Sequence, residues 1–192
     1  NTRNMLEWAG FYNRFISKLK MAFLDEKYKY FEDKDAAFYT NGKAETVIAK
    51  YDLSFGLGSK INFNALVDFT QTKGFGSDIG ENKRQIASAA FLMKHQIFRN
   101  LQYEISLRKE VTSNYKSPIL YSIGTKYEVS KYYALKSNFS KNFRIPTFND
   151  LYWQGSGNPT LKPESSYKTE VGQEIKYNNI KLSTTLIYKE IK

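Results

Sequence analysis

Apolar and polar residues alternate along most of this chain. Between residues 45 and 57, Val47, Ala49, Tyr51, Leu53, Phe55 and Leu57 share one parity, and Thr46, Lys50, Asp52 and Ser54 share the other. Residues 60–71 repeat the pattern, with Ile61, Phe63, Ala65, Val67 and Phe69 against Asn62, Asn64, Asp68 and Thr70. Residues 101–112 set Leu101, Tyr103, Ile105, Leu107 and Val111 against Gln102, Glu104, Ser106, Arg108 and Glu110. A period of two marks a strand with one apolar and one wet face. Weaker alternation predicts strands over 3–13, 17–31, 84–98, 118–129, 132–143, 165–177 and 180–191. The total is about ten strands of roughly eleven to fifteen residues. In the second strand Leu19, Met21 and Phe23 share a parity that Tyr28 and Tyr30 lack, which predicts a bulge near Asp25.

The connections alternate in kind. Short turns are expected near Phe15 and Ile16, at Gly58-Ser59, Arg99-Asn100 and Ser130-Lys131, and at Asn178-Asn179, a pair that tolerates the positive dihedrals of a hairpin. At the opposite end stand a polar loop over 32–43, a loop over 73–83 holding Gly74, Gly76 and Gly80, a short loop after 112, and a long one from Phe143 to Glu164. Strands of soluble sandwiches average about five or six residues, whereas a tilted strand needs roughly nine to eleven to cross a bilayer. Short turns at one end and long loops at the other mark an outer-membrane barrel. The expected fold is therefore all-β, an antiparallel transmembrane β-barrel. Its mid-strand charges face a wet lumen, and Tyr28, Tyr30, Tyr51, Phe69, Tyr103 and Tyr188 form aromatic girdles. A soluble one-sided sheet or sandwich gives the same period and is the rival fold.

Composition agrees. Tyr, Phe and Trp make up 16% of the 192 residues, and no apolar run approaches the roughly 18 residues of a helical span. A chain without cysteine has neither disulfides nor thiolate chemistry. A formal charge of +10 suggests nucleic acid, an anionic membrane surface or an acidic ligand. The lysines are dispersed and form no nucleic-acid motif, so no nucleic-acid partner is expected.

Catalytic chemistry is poorly provided for. His95, the single histidine, sits between Lys94 and Gln96 without a partnering serine motif and reads as a polar or interfacial strand residue. Glu32, Asp33 and Asp35 lack the glycine and ligand spacing of a calcium loop, and Gly74, Gly76 and Gly80 lack the strand-to-helix setting of a phosphate loop. No catalytic residue, metal site or cofactor is assigned, and the chain is not expected to be an enzyme.

The long loop carries the most information. It reads FRIPTFNDLYWQGSGNPTLKPE and holds Pro146, Pro159 and Pro163, three of the four prolines in the chain. Proline lacks the ladder donor and fixes its own dihedral, so neither a helix nor a central strand is expected there. Phe148, Tyr152 and Trp153 argue that the loop is ordered. Phe143, Arg144, Pro146 and Thr147, followed by Asn158, Pro159, Leu161, Lys162, Pro163 and Glu164, resemble the paired FRxPT and NPxLKPE boxes of TonB-dependent outer-membrane receptors. Asp150-Leu151-Tyr152 stands between them, where that family commonly has an ELY-like sequence.

The resemblance implies that residues 1–192 are one partial barrel domain from a 22-stranded barrel, with an N-terminal plug and the remaining strands lying outside it. No basic-then-apolar leader precedes the first strand, which fits a piece of a longer protein. It further implies an active transporter of a bulky nutrient, of the cobalamin or ferric-siderophore class, multi-pass in the bacterial outer membrane. Its partners would be outer-membrane lipid, a small-molecule nutrient ligand and a TonB-type energy-coupling complex engaged through the plug, with a surface lipoprotein left open. Haem receptors of this kind carry a histidine between the boxes, and residues 145–157 contain none. Phe148, Asn149, Tyr152 and Trp153 are the candidate substrate contacts. Arg144, Pro146, Asn158, Pro159 and Glu164 are read as holding the loop's shape. A passive porin-like channel and a soluble binding or adhesion module are the alternatives.

Overall fold

The computed structural model describes residues 1–31, 33, 35 and 37–192. Among these, ten antiparallel strands form a single sheet in which each strand lies beside its neighbours in sequence. They are β1 (Thr2–Tyr12), β2 (Phe15–Tyr30), β3 (Thr40–Leu57), β4 (Ile61–Gly76), β5 (Gly80–Phe98), β6 (Leu101–Thr112), β7 (Ile119–Glu128), β8 (Tyr133–Arg144), β9 (Glu164–Tyr177) and β10 (Ile180–Ile191). One helical turn, α1 (Phe148–Tyr152), lies between β8 and β9.

The register keeps the alternating faces aligned. Residues directly opposite in an antiparallel pair share a face, so Tyr51 continues the row from Leu19 in β2 to Val67 in β4. This apolar face has no protein covering: Val67 is 59% exposed and Leu186 77%. Among the described residues, Ala134 and Leu151 are the buried hydrophobics. A soluble sandwich would bury the apolar face against a second sheet; here that face meets lipid instead.

The other face is polar and cross-linked. Asp68 accepts from Ser88 Oγ at 2.7 Å and from Arg108 Nη2 at 3.2 Å. Glu174, only 3% exposed, gathers Lys136, Lys181 and Lys176 at 2.7, 3.2 and 3.4 Å. A carboxylate drawn in among three ammonium groups joins β8, β9 and β10 through the lumen side, where uncovered charges would repel one another. The sheet is not closed, and in lipid the unpaired edges of β1 and β10 require further strands.

Several boundaries differ from the sequence-based expectation. The first turn falls at residues 13 and 14, since Tyr12 pairs Phe15. β2 has no bulge at Asp25: its pairing with β3 is continuous from Phe15 opposite Phe55 to Tyr30 opposite Thr40. Tyr28 and Tyr30 change parity because β2 runs on past the apolar band, where the aromatic side chains turn to the lumen. They are therefore not girdle residues. Gly42, opposite Tyr28, lets the tyrosine ring lie over the strand: a Cβ there would lie 2.3 Å from the ring, which would have to swing aside. The loops over 32–43 and 73–83 are correspondingly shorter, with β3 starting at Thr40, β4 running to Gly76 and β5 starting at Gly80. Glycines at 42, 74 and 76 weaken propensity but admit close neighbours: Tyr28 of the adjacent strand at Gly42, Phe148 of the β8–β9 loop at Gly74, and Ile79 of the same hairpin at Gly76. A register shift between Gln96 and Phe98 replaces the bulge expected in β2.

Candidate functional site

The loop between β8 and β9 does not stand away from the wall; it folds across the polar face. Its first segment ends in a helical turn that the prolines were expected to forbid. Thr147 is the N-cap: its hydroxyl accepts from the Asp150 N–H at 3.1 Å, and the Asp150 carboxylate accepts from the Thr147 N–H at 2.8 Å. This reciprocal capping box starts a helix immediately after Pro146, where the missing proline donor is no loss. The backbone bond to Thr147 is the main reason the Asp150 carboxyl is held below its ordinary value. Leu151, 1% exposed, anchors the turn from beneath.

The helix then stops at Trp153, and the chain reverses. Gly157 N–H and Ser156 N–H both donate to the Trp153 carbonyl, at 2.6 and 3.2 Å. A Cβ on Gly157 would lie 2.5 Å from the Trp153 nitrogen, so the reversal requires glycine there. Asn158 closes the loop on itself, its N–H donating to the Asp150 carbonyl at 2.9 Å and its side-chain oxygen accepting from Thr160 N–H at 2.9 Å. The two sequence boxes are thus halves of one folded unit. Arg144 and Glu164 are opposed on the last rung of β8 and β9. Arg144, Pro146, Leu161, Lys162 and Glu164 line a common cavity of about 360 Å³. Phe143 faces Ser165 one rung below the rim, and Pro159 and Pro163 direct the return to β9.

Two contacts dock this unit onto distant strands. Arg84 of β5 donates from Nη1 to the Pro146 carbonyl at 2.8 Å and places its guanidinium 4.8 Å from the centroid of Phe148. Gln154 N–H donates to the Asp78 carbonyl in the β4–β5 turn at 2.8 Å. Docking bounds an open cavity of about 620 Å³, lined by Tyr28, Lys29, Tyr30, Lys43, Ala44, Thr72, Gly74, Phe75 and Ile79 on the wall side and by Phe148, Asn149 and Trp153 on the loop side. Of the four expected contacts, Phe148, Asn149 and Trp153 therefore come together. Tyr152 does not line this cavity; its ring lies 6.3 Å from that of Phe148.

Arg84, Tyr28, Tyr30 and Gly74 were not singled out as site residues. The parity change at Tyr28 and the glycines at 74 and 76 were the available signals, read instead as a bulge and a loop. His95 lies on the apolar face near the turns, its Nδ1 3.2 Å from the Tyr103 hydroxyl. Of the acidic group in the first loop, Glu32 lies outside the described residues. Among the described residues no cluster of His, Cys, Asp or Glu is arranged to hold a metal ion.

A sheet with lipid on one side, a charged lumen on the other and a loop folded inward is part of the wall of an outer-membrane β-barrel. The chain belongs to the TonB-dependent receptor family, whose model, described as "TonB dependent receptor-like, beta-barrel", matches residues 3–192. The Vitamin B12 transporter BtuB of Photobacterium profundum is 26% identical over 171 residues, covering 88% of this chain and 28% of that protein. BtuB of Vibrio vulnificus is 37% identical over 84 residues, 44% of this chain and 14% of that protein. The siderophore receptor PirA of Acinetobacter baumannii shares the fold with a TM-score of 0.82 at 16% identity, over 99% of this chain and 34% of the other. The chain thus spans about a third or less of the length of these proteins. The matched relatives are transporters and receptors rather than enzymes.

Proposed function

We propose that this chain is part of the barrel of an outer-membrane importer that takes up a bulky nutrient, of the corrinoid or ferric-siderophore class, by TonB-dependent coupling. The carrying observation is the position of the loop. A fold at the barrel rim that only closed a surface would have no need to reach distant strands, yet Phe148, Asn149 and Trp153 line one cavity of about 620 Å³ with Tyr28 and Tyr30. That volume is typical of a ligand cleft, and its aromatic walls with one amide and the lysines Lys29 and Lys43 suit a large, partly apolar solute that also carries polar groups. A cavity of this size covers one face of a corrinoid rather than enclosing it, leaving the remaining contacts to other loops and a plug. Residues 1–192 would then be a partial barrel domain, with the plug supplying contact with the energy-coupling protein. The inner wall near the turns, where Lys94, Glu104, Lys126, Asn138 and Glu170 border an open charged basin, offers a polar surface for such a plug.

Cobalamin is the first substrate to test, because the relatives with significant sequence identity are named as vitamin B12 transporters. The test is binding of cyanocobalamin, and separately of ferric siderophores, to the full-length receptor in detergent, with Phe148→Ala and Trp153→Ala variants. Truncating a buried aromatic contact should weaken the cognate ligand by about tenfold or more. Unchanged affinity for every ligand in both variants would sink the assignment of this cavity. Binding of siderophore alone would move the substrate class and leave the site standing.

A further inference from the structure

The floor of the loop-side cavity is built from two aromatic rings that lie in the wall rather than on it. Tyr28 and Phe148 both line the cavity. On the lumen face, consecutive rungs of β3 and β4 pair Ala44 with Gly74 and Gly42 with Gly76. The hydroxyl end of the Tyr28 ring lies over Gly42, where a Cβ would come within 2.3 Å of it, and the edge of Phe148 lies over Gly74, where a Cβ would come within 2.9 Å. One ring comes from the adjacent strand and the other from the β8–β9 loop, so two separate segments converge on the same patch of wall.

Gly42 and Gly74 are diagonal neighbours across the antiparallel pair, which sets them about 7 to 8 Å apart. A flat ring held between two others needs about that spacing, because carbon atoms in contact lie about 3.5 to 4.0 Å apart on each side. Between the two glycines lies Ala44, whose side chain is a single methyl group. The charges around this point are engaged elsewhere. Glu26, opposite Ala44, is paired with Arg3. The Lys43 ammonium pairs with Asp25 at 3.6 Å and with Glu45, and that of Lys29 lies 4.3 Å from the centroid of Tyr39.

We propose that Tyr28 and Phe148 form a slot for a flat conjugated ring of the transported solute, entered by an apolar edge of that ring, and that Ala44 sets the depth of the slot. The proposal rests on the reading of this cavity as the nutrient site and narrows it to one chemical group. A conjugated ring makes an aromatic contact on each side, which an aliphatic or charged arm of the same solute does not. Two solutes of the classes in question carry such a group: a complete corrinoid in its benzimidazole base, and a catecholate iron chelate in its carbocycle. The slot therefore discriminates among members of one nutrient class by the ring they carry.

The test measures affinity of the full-length receptor in detergent for two matched pairs of ligands. One pair is cyanocobalamin and dicyanocobinamide, the corrinoid without its base; the other is a ferric catecholate and a ferric hydroxamate. The wild-type protein should bind the ring-bearing member of one pair about tenfold more tightly, and the pair that shows the difference identifies the source of the ring. Ala44→Leu, which fills the slot, and Phe148→Leu, which keeps apolar bulk but removes the ring face, should each abolish that preference. The preference is a ratio within one variant, so a general weakening of binding cancels from it, and heat-modifiable electrophoretic mobility reports whether each barrel is folded. Gly56→Ala should keep the wild-type ratio. Equal wild-type affinities within both pairs, or a preference that survives in both leucine variants, would overturn the slot while leaving the cavity as the nutrient site. Failure of the wild-type protein to bind any of the four ligands would overturn the reading of the cavity and the slot with it.

Discussion

The guanidinium of Arg84 lies 4.8 Å from the ring centroid of Phe148 while the same side chain donates to the Pro146 carbonyl at 2.8 Å. One residue of β5 thus holds both the entry to α1 and its first aromatic side chain. A hydrogen bond from a charged donor contributes about 1.5 to 3 kcal/mol, and a partly desolvated cation over a ring about 0.5 to 2 kcal/mol. Arg84→Ala should therefore loosen the loop by about 2 to 4 kcal/mol without unfolding the wall. In the full-length receptor, amide exchange at Leu151 and Trp153 should accelerate by about 30-fold or more, while exchange in β3 and β4 stays as it was. Unchanged exchange at those two amides would show that the loop holds its place without Arg84.

Gly157 is required by space rather than by dihedral angle. Its would-be Cβ meets backbone atoms, with Trp153 O at 2.8 Å in addition to the nitrogen at 2.5 Å. Backbone cannot move aside as a flexible side chain can. Gly157→Ala should displace Trp153 from the cavity and lower affinity for the transported ligand about tenfold or more, whereas Gly56→Ala, whose nearest contact is 3.6 Å away, should leave affinity unchanged. Equal behaviour of the two variants would contradict the assignment.

The Thr147 and Asp150 capping box predicts a pH response of definite sign. The Asp150 carboxyl lies below its ordinary value of 3.8, chiefly because it accepts from the Thr147 backbone N–H. A carboxylate depressed on folding stabilises the loop fully above its ordinary value and loses that contribution as pH falls through the depressed one. Loop order should be constant from neutral pH down to that ordinary value and decline only below it. Asp150→Asn should abolish this acid transition, and Thr147→Ala should weaken the loop at neutral pH by about 1 kcal/mol. Amide exchange or proteolysis within 147–157 as a function of pH reads both effects.

The two faces of the sheet predict opposite tolerance to charge. Val67 lies mid-strand on the apolar face, 59% exposed, and Val67→Arg should cost about 2 to 4 kcal/mol in folding into lipid vesicles. Ser106 lies on the lumen side, where its hydroxyl meets that of Ser122 at 2.7 Å, and Ser106→Arg should cost about 1 kcal/mol for the lost hydrogen bond. Denaturant titration of the full-length receptor in vesicles compares them, and a reversed order would mean that the faces are misassigned.

Much of the architecture was legible in the sequence. Leu53 and Ala65, or Leu107 and Ile105, were placed on the apolar face by parity alone, and the paired boxes pointed to the loop that builds the site. The errors arose where strands leave the bilayer. Tyr28 and Tyr30 looked like a bulge because alternation was assumed to report burial throughout, but beyond the apolar band both faces of a strand meet water or another protein segment, and parity no longer constrains which residue is aromatic. The helical turn was hidden by its prolines, although Thr147 followed by Asp150 was a capping signal in its own right.

Local chemistry by itself determined the strands, their faces and their turns, because a period of two and a glycine or asparagine at a reversal act within a few residues. Only the tertiary structure decided that the loop meets Arg84, which is 62 positions from Pro146, and that its aromatic residues face Tyr28 and Tyr30. That meeting depends on how far the loop reaches across the intervening strands and on which rung of each strand its contacts fall. Both are properties of the assembled sheet, and no short stretch of sequence encodes them.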